Sequence, residues 1–464
     1  MKDMTEGNPL KLILKFAFPL LLGNLLQQIY NIADAAIVGR FLGPSALAAV
    51  GATASVQFLI LGFCTGTCTG FCVPIAQRFG AKDYSGMRKL VFNSILLAAG
   101  GALVITIACA VFCPQILRIL STPEDIWSDT YVYILVIFLG IPFTLLYNLS
   151  AGILRAVGDS RTPFIFLAVS AVLNIALDIF CIAVLGWGCA GAAIATVASQ
   201  ALSGMLCTYV IFRKYEILHI RSKERRADRK LIGILVFMGV PMGLQFSITA
   251  IGSMVMQSSN NALGSMYASA FTAAVRIKGL AMCPFDAIAS GVATFCSQNY
   301  GAGNMDRVKN GCRIGVVMGT VYGLLIGAAL VTCGRTACLL FLPASETGIL
   351  DAAALYLRFC GIGFFLLSPL CVCRIVVQGL GFSGRAMLSG VMEMIARTVA
   401  AAVFVPSYGF TAICIADPAA WLAANLYIVP VCIYVLWKLG GRAPREKHEA
   451  RRHVFHRRHR VRYV

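Results

Sequence analysis

Apolar stretches long enough to cross a bilayer recur from Leu12 to Trp437 with polar punctuation between them, and this recurrence leaves the chain very few architectures. Hydrophobic residues make up 59% of the 464 and charged residues only 13%, about half the charged share of an ordinary soluble domain. In hydrocarbon every backbone N–H and C=O must find its partner within the protein, so the spanning elements are helices or a closed barrel. These stretches are too long and too uniformly apolar for barrel strands. The sequence predicts an all-α polytopic membrane protein of about twelve transmembrane helices, at residues 12–38, 46–76, 91–112, 130–154, 164–185, 190–212, 232–260, 268–297, 314–334, 353–378, 387–405 and 411–437.

A net charge of +19 would suggest a nucleic-acid partner in a soluble protein. Here Lys and Arg concentrate in alternate loops, the pattern of cytoplasmic segments, and no nucleic acid is expected. The stretches Arg78–Lys89, Arg213–Lys230, Arg307–Arg313 and the tail from Lys438 fall on one side, whereas the opposite loops hold little more than Arg40, Arg118 and Arg335. Both termini are therefore expected in the cytoplasm. Lys11 and Lys15 before an apolar run resemble a signal peptide, but the run exceeds twenty residues and lacks a convincing cleavage site, so it reads as a retained helix. The basic tail RRHVFHRRHRVRY reads as a solvated extension touching anionic lipid headgroups. Most of the eighteen cysteines lie in apolar helices, where Cys acts as a small hydrophobe. Cys64, Cys68 and Cys72 share a helix with Gly62, Gly66 and Gly70, and with no His or carboxylate in those turns the motif reads as close packing and not as a metal site.

The chain also repeats itself. AQRFGAKDYSGMRK from Ala76 returns as SQNYGAGNMDRVKN from Ser297, which sets Gln77 on Gln298, Gly80 on Gly301 and Ala81 on Ala302. Pro19 matches Pro241, and GILRAVGDSRTP from Gly152 is set against VVQGLGFSGRAM from Val376. Six spans per copy make these parallel repeats, giving a six-helix lobe over 1–220, a basic linker at 221–230 within Arg213–Lys230, a second lobe over 231–440 and a tail at 441–464. Two pseudo-symmetric lobes joined by a flexible loop suit alternating access around a central cavity. An enzyme would need a catalytic constellation, and no Ser/His/Asp set, His cluster or phosphate-binding loop is present.

Polar groups inside spans are costly and are the default functional candidates. Asn24, Gln27, Asn31 and Asp34 form a polar stripe down the first span, with Asp34 roughly 9 Å below Arg40. In the fifth span Asp178 lies at a similar depth with Asn174 one turn beneath, and Thr196 of the sixth reaches the same level. These oxygen ligands suit a hard monovalent cation, and two close carboxylates would equally hold a proton between them. The second half lacks this acidic stripe: Gln245, Thr249, Ser253, Gln257 and Asn260 stand in its place, and Met256 falls near the position of Asp34. Asp286 in the eighth span is a candidate protonation site or substrate contact. Glu393 and Arg397, one turn apart in the eleventh, read as an internal ion pair or part of the substrate cavity. Gln27, Asn31, Gln245 and Gln257 complete the candidate cavity.

FPLLLGNLLQQIYNIADAAIVGRFLG in the first span, the duplicated Gln-x-x-Gly-Ala, RAVGDSRTP before the fifth span and NIALD within it together resemble the multidrug and toxic compound extrusion (MATE) family over residues 8–437. The resemblance implies two six-helix lobes, export of cationic amphiphilic compounds driven by H⁺ or Na⁺ and a bacterial plasma membrane; a two-lobed transporter can work as a monomer, and no cofactor is expected. It assigns the coupling site to Asp34, Asn174, Asp178 and Thr196. The sequence departs from the family pattern in the second lobe, where the seventh span offers Gln245 and the tenth only Arg358 and Arg374, so coupling is expected to be lopsided, with the first lobe carrying the mechanism the resemblance implies. A lipid-linked saccharide flippase and a non-transporting receptor are the alternatives. Pro19 and Pro241 each remove a helix hydrogen bond and are candidate kinks.

Overall fold

The computed structural model describes residues 2–120 and 122–440; the basic tail at 441–464 lies outside them. Every regular element among the described residues is helical. Twelve long elements follow one another: α1 (Pro9–Leu42), α2 (Pro44–Gly80), α3 (Tyr84–Val111), α4 (Glu124–Ala156), α5 (Arg161–Val184), α6 (Gly188–Lys214), α7 (Arg229–Asn261), α8 (Ser265–Gly301), α9 (Met305–Cys338), α10 (Thr347–Gly379), α11 (Ser383–Tyr408) and α12 (Phe410–Gly440). Eleven are long and apolar enough to span alone. The twelfth, α4, bends by 44° at Gly140, followed by Pro142, which has no amide to donate. A short helix, Cys113–Ile119, joins α3 to α4. Several helices extend beyond the predicted spans; α3 begins at Tyr84 and α9 at Met305.

The internal repeat is visible in the backbone. Gly43 and Gly264 turn α1 into α2 and α7 into α8 with φ of 90° and 111°, and Lys82 and Gly303 follow α2 and α8 with φ of 58° and 73°. After α4 and α10 the positive-φ residues are Gly158 (83°) and Gly381 (96°). The ungapped sequence match sets Gly158 against Phe382, so it is one residue out of register here. A left-handed turn selects glycine, which makes Gly381 the partner of Gly158.

The two halves do not keep their cores to themselves. Ile13, Phe16, Ala17 and Leu20 of α1 pack into the apolar core built by α8 to α12, while Leu235 of α7 packs into the core of the first half. The glycine ridge of α2 lies along α7: a Cβ on Gly70 would stand 2.6 Å from the Gly239 Cα, and one on Gly66 would stand 2.9 Å from the Gly243 Cα. Backbones approach closely where neither carries a side chain.

The linker between the halves is not the free tether the sequence suggests. The Arg88 guanidinium donates to both Glu224 oxygens (Nε to Oε2 2.6 Å, Nη2 to Oε1 2.8 Å), and Ser85 adds a third bond at 3.0 Å. Asn93 donates to the Arg226 carbonyl and accepts from the Asp228 amide. The Arg88 bonds, outweighing burial, hold the Glu224 carboxyl down to about 2. Charge-assisted pairing thus fixes the linker to α3.

Candidate functional site

α1, α5 and α6 assemble a cluster of polar atoms. α5 carries Asn174 and Asp178 just before its helix widens into a π-turn at Phe180–Val184; such turns recur at functional sites. Asp178 is fully buried and Asn174 is 3% exposed. The Asp178 carboxyl faces that of Asp34 from α1. Both Asp178 oxygens, Asp34 Oδ1, both amide atoms of Asn174 and the Ser199 hydroxyl of α6 are buried without a hydrogen-bond partner. Tyr30 of α1 and Tyr133 of α4 stand close to both carboxylates, with Gln27 beside the first and Gln57 beside the second. Gln57 in turn donates to Thr53 Oγ1 at 2.7 Å.

Buried oxygen atoms lacking donors are expensive, and two facing carboxylates cannot both stay charged in a water-poor site without a cation or proton between them. Carboxylate, amide and hydroxyl oxygens are a donor set for a hard cation. The cluster therefore fits a monovalent cation or proton as cargo. Thr196 is half-buried on α6, three residues from Ser199, and it is Ser199 that carries the orphaned hydroxyl. Gln27 and Asn31 are exposed.

The second half holds a different kind of polar group. Asp417 of α12 accepts from Lys278 of α8 (2.5 Å), Tyr356 of α10 (2.5 Å) and Arg397 Nε of α11 (2.9 Å). Glu393 pairs with Arg374 and, at 3.5 Å, with Arg397. Arg374 also donates to Ser389 at 2.8 Å. Here each carboxylate is met by two cations, so Glu393 and Arg397 belong to a closed ion-pair network and not to an open cavity wall. The sequence reading overlooked Lys278 and Asp417, which sit 139 residues apart and meet only in the fold. Gln245, offered as a cavity residue, is 7% exposed and accepts from Gln378 Nε2 at 2.5 Å, its carbonyl spent on a helix-to-helix bond. Gln257 donates along its own helix to Asn261. Asp286 is exposed, with Arg374 the opposite charge acting on it. Sulfurs of Cys312, Cys373 and Cys432 lie within 4.8 Å of one another in the second-half core, a thiol cluster that the sequence spacing conceals.

At the basic end, where the loops rich in Lys and Arg lie, the halves are tied together. Gln77 Nε2 donates to the Gly379 carbonyl (2.8 Å) and Gln298 Nε2 to the Ala156 carbonyl (2.9 Å), bonds related by the repeat. The segment before α1 reinforces them. Met4, fully buried, donates its amide to Gln298 Oε1 (3.0 Å) and accepts at its carbonyl from Asn299 and Arg307, while the Lys2 amide donates to Val157 O.

Fold and site together define a membrane-embedded bundle of two related helical halves, with an unsatisfied carboxylate pair in the first and an ion-pair network in the second. The MatE family model matches residues 19–180 and 241–403, one copy in each half, and the chain belongs to this family of multidrug efflux transporters. It is 32% identical over 307 residues to the probable multidrug resistance protein YpnP of Bacillus subtilis, covering 66% of this chain and 68% of that one. The multidrug export protein MepA of Staphylococcus aureus is 23% identical over 429 residues, 91% of this chain and 94% of its own. Among solved structures, the outward-facing conformation of a multidrug resistance MATE family transporter of the MOP superfamily superposes with a TM-score of 0.88 at 23% identity, covering 94% of this chain and 98% of that one. A MOP superfamily transporter from Pyrococcus furiosus gives the same score at the same identity and coverage. These two similarities speak to the fold.

Proposed function

We propose that this protein exports organic, cationic amphiphilic compounds across a bacterial plasma membrane in exchange for inward-moving H⁺ or Na⁺ held at Asp34 and Asp178, with Asn174 and Ser199 completing the site. The observation that carries this reading is the set of buried, partnerless oxygen atoms on α1, α5 and α6. In the proposed cycle the basic end is cytoplasmic and closed by the Gln77 and Gln298 bonds. A cation arriving from outside neutralises the carboxylate pair, and the two halves then rearrange to open inward. Such coupling requires the cation to bind one state better than the other, since equal affinity shifts nothing. The ion pairs of Asp417 and Glu393 are already neutralised and support an architectural role for the second half.

Purified protein in vesicles, loaded with a cationic dye and given a pH gradient or a sodium gradient in turn, tests the proposal. Dye flux driven by one gradient and abolished by collapsing it is the expected result. Dye binding without gradient-driven flux would favour a receptor and end the proposal.

A further inference from the structure

A groove of about 730 Å³ lies between α1 and α5 on one side and α8 on the other, within the size range of small-molecule sites. Its walls are apolar: Phe18 is 61% exposed, Ile165 53%, Leu14 48% and Leu22 36%. On spanning helices, exposed side chains of this kind face hydrocarbon. Lys11, Lys15 and Arg161 also line the groove. All three lie in the first two turns of α1 or at the start of α5, at the basic end. Lys2 stands beside Lys15 and Arg161, and its amine is held below the ordinary lysine range by burial and then by repulsion from those two. No Asp or Glu lines the groove among the described residues. The arrangement is a hydrocarbon slot with several cations at the level of the headgroups, a charge complement to an anionic headgroup.

We infer that this groove is a binding site for one anionic phospholipid of the leaflet at the basic end, its phosphate held by Lys11, Lys15 and Arg161 and its acyl chain lying against Phe18, Leu22 and Ile165. A cationic amphiphile, the substrate class proposed above, is repelled by the same charges, so the groove is not its portal. The walls come from both halves, with Pro284 and Ala287 of α8 facing Phe18 and Pro19 of α1, so a bound lipid bridges them and its residence depends on how they are set. The site does not depend on which compounds are transported.

Native mass spectrometry of the full-length protein, released from detergent containing equal phosphatidylglycerol and phosphatidylcholine, tests the inference without reference to transport. Wild type is expected to retain one phosphatidylglycerol in preference to phosphatidylcholine, and the variant Lys11→Gln/Lys15→Gln/Arg161→Gln to retain it about a hundred-fold less well. A second variant, Ile165→Trp, narrows the slot from its exposed wall while keeping every charge, and is expected to lose the lipid as well. Equal retention of the two lipids by wild type, or unchanged phosphatidylglycerol retention in both variants, overturns the inference.

Discussion

Gln77 and Gln298, matched by the internal repeat, each send a side-chain amide into the opposite half, to the carbonyls of Gly379 and Ala156. The repeat thus places one lock on each side of the interface between the halves. Gly80 and Gly301 make it feasible, since a Cβ on either would collide with the backbone of the other half's glutamine. Gln298→Ala takes the side-chain donor from the Ala156 carbonyl, at about 1–3 kcal/mol where it stays buried, whereas Gln77→Ala leaves the Gly379 carbonyl the Ser297 hydroxyl at 3.2 Å. The double variant is expected to show faster hydrogen–deuterium exchange at residues 156–159 and 379–382, with exchange in α5 unchanged.

The segment before α1 reinforces this lock. Met4 is fully buried and hydrogen-bonds Gln298, Asn299 and Arg307, while Lys2 reaches Val157. Deleting residues 2–7 from the otherwise complete chain is expected to raise exchange at the same basic-end carbonyl-bearing segments and to shift the resting population toward opening there. Unchanged exchange would make the segment a passive extension.

Asp417 neutralises Lys278 and Arg397 inside the second half. Removing one member of a buried pair leaves the other charge uncompensated, at about 3–5 kcal/mol. Asp417→Asn is expected to lower the unfolding temperature of the purified protein strongly while leaving the number of cations exchanged per substrate unchanged. A change in that number would move coupling into the second half.

Glu224 is tied to Arg88, and its carboxyl is held from 4.5 down to about 2. A carboxyl depressed by folding contributes stability that is present above its unfolded value near 4.5 and is lost as pH falls toward 2. Wild type should therefore loosen its linker in acid, read as rising proteolysis between residues 214 and 229. Glu224→Gln should show the raised proteolysis at neutral pH and little further change in acid.

The polar residues of the first half were legible because an Asp in an apolar span has few inexpensive explanations, and Asp34, Asn174 and Asp178 stand out at helical spacing. Ser199, Thr53 and Tyr133 were not, because hydroxyl side chains are ordinary inside membrane helices and only their burial marks them. Tyr30 stood between Gln27 and Asp34 on the same stripe and could have been read from it. The Lys278–Asp417 pair joins α8 to α12, a distance in sequence that periodicity within one helix never reports. The ungapped repeat slipped by one residue after α4 because sequence similarity alone weighs Gly381 no more than its neighbours, whereas the backbone demands glycine there.

If Asp34 and Asp178 hold the exchanged cation, substrate binding to purified protein releases it, which is read as H⁺ with a pH indicator and as Na⁺ by flame emission. Wild type is expected to release one of the two ions when dye binds, and Asp34→Asn and Asp178→Asn to bind dye while releasing neither. Undiminished release from both variants would place the exchanged ion away from Asp34 and Asp178, with Asp286 the first residue to replace.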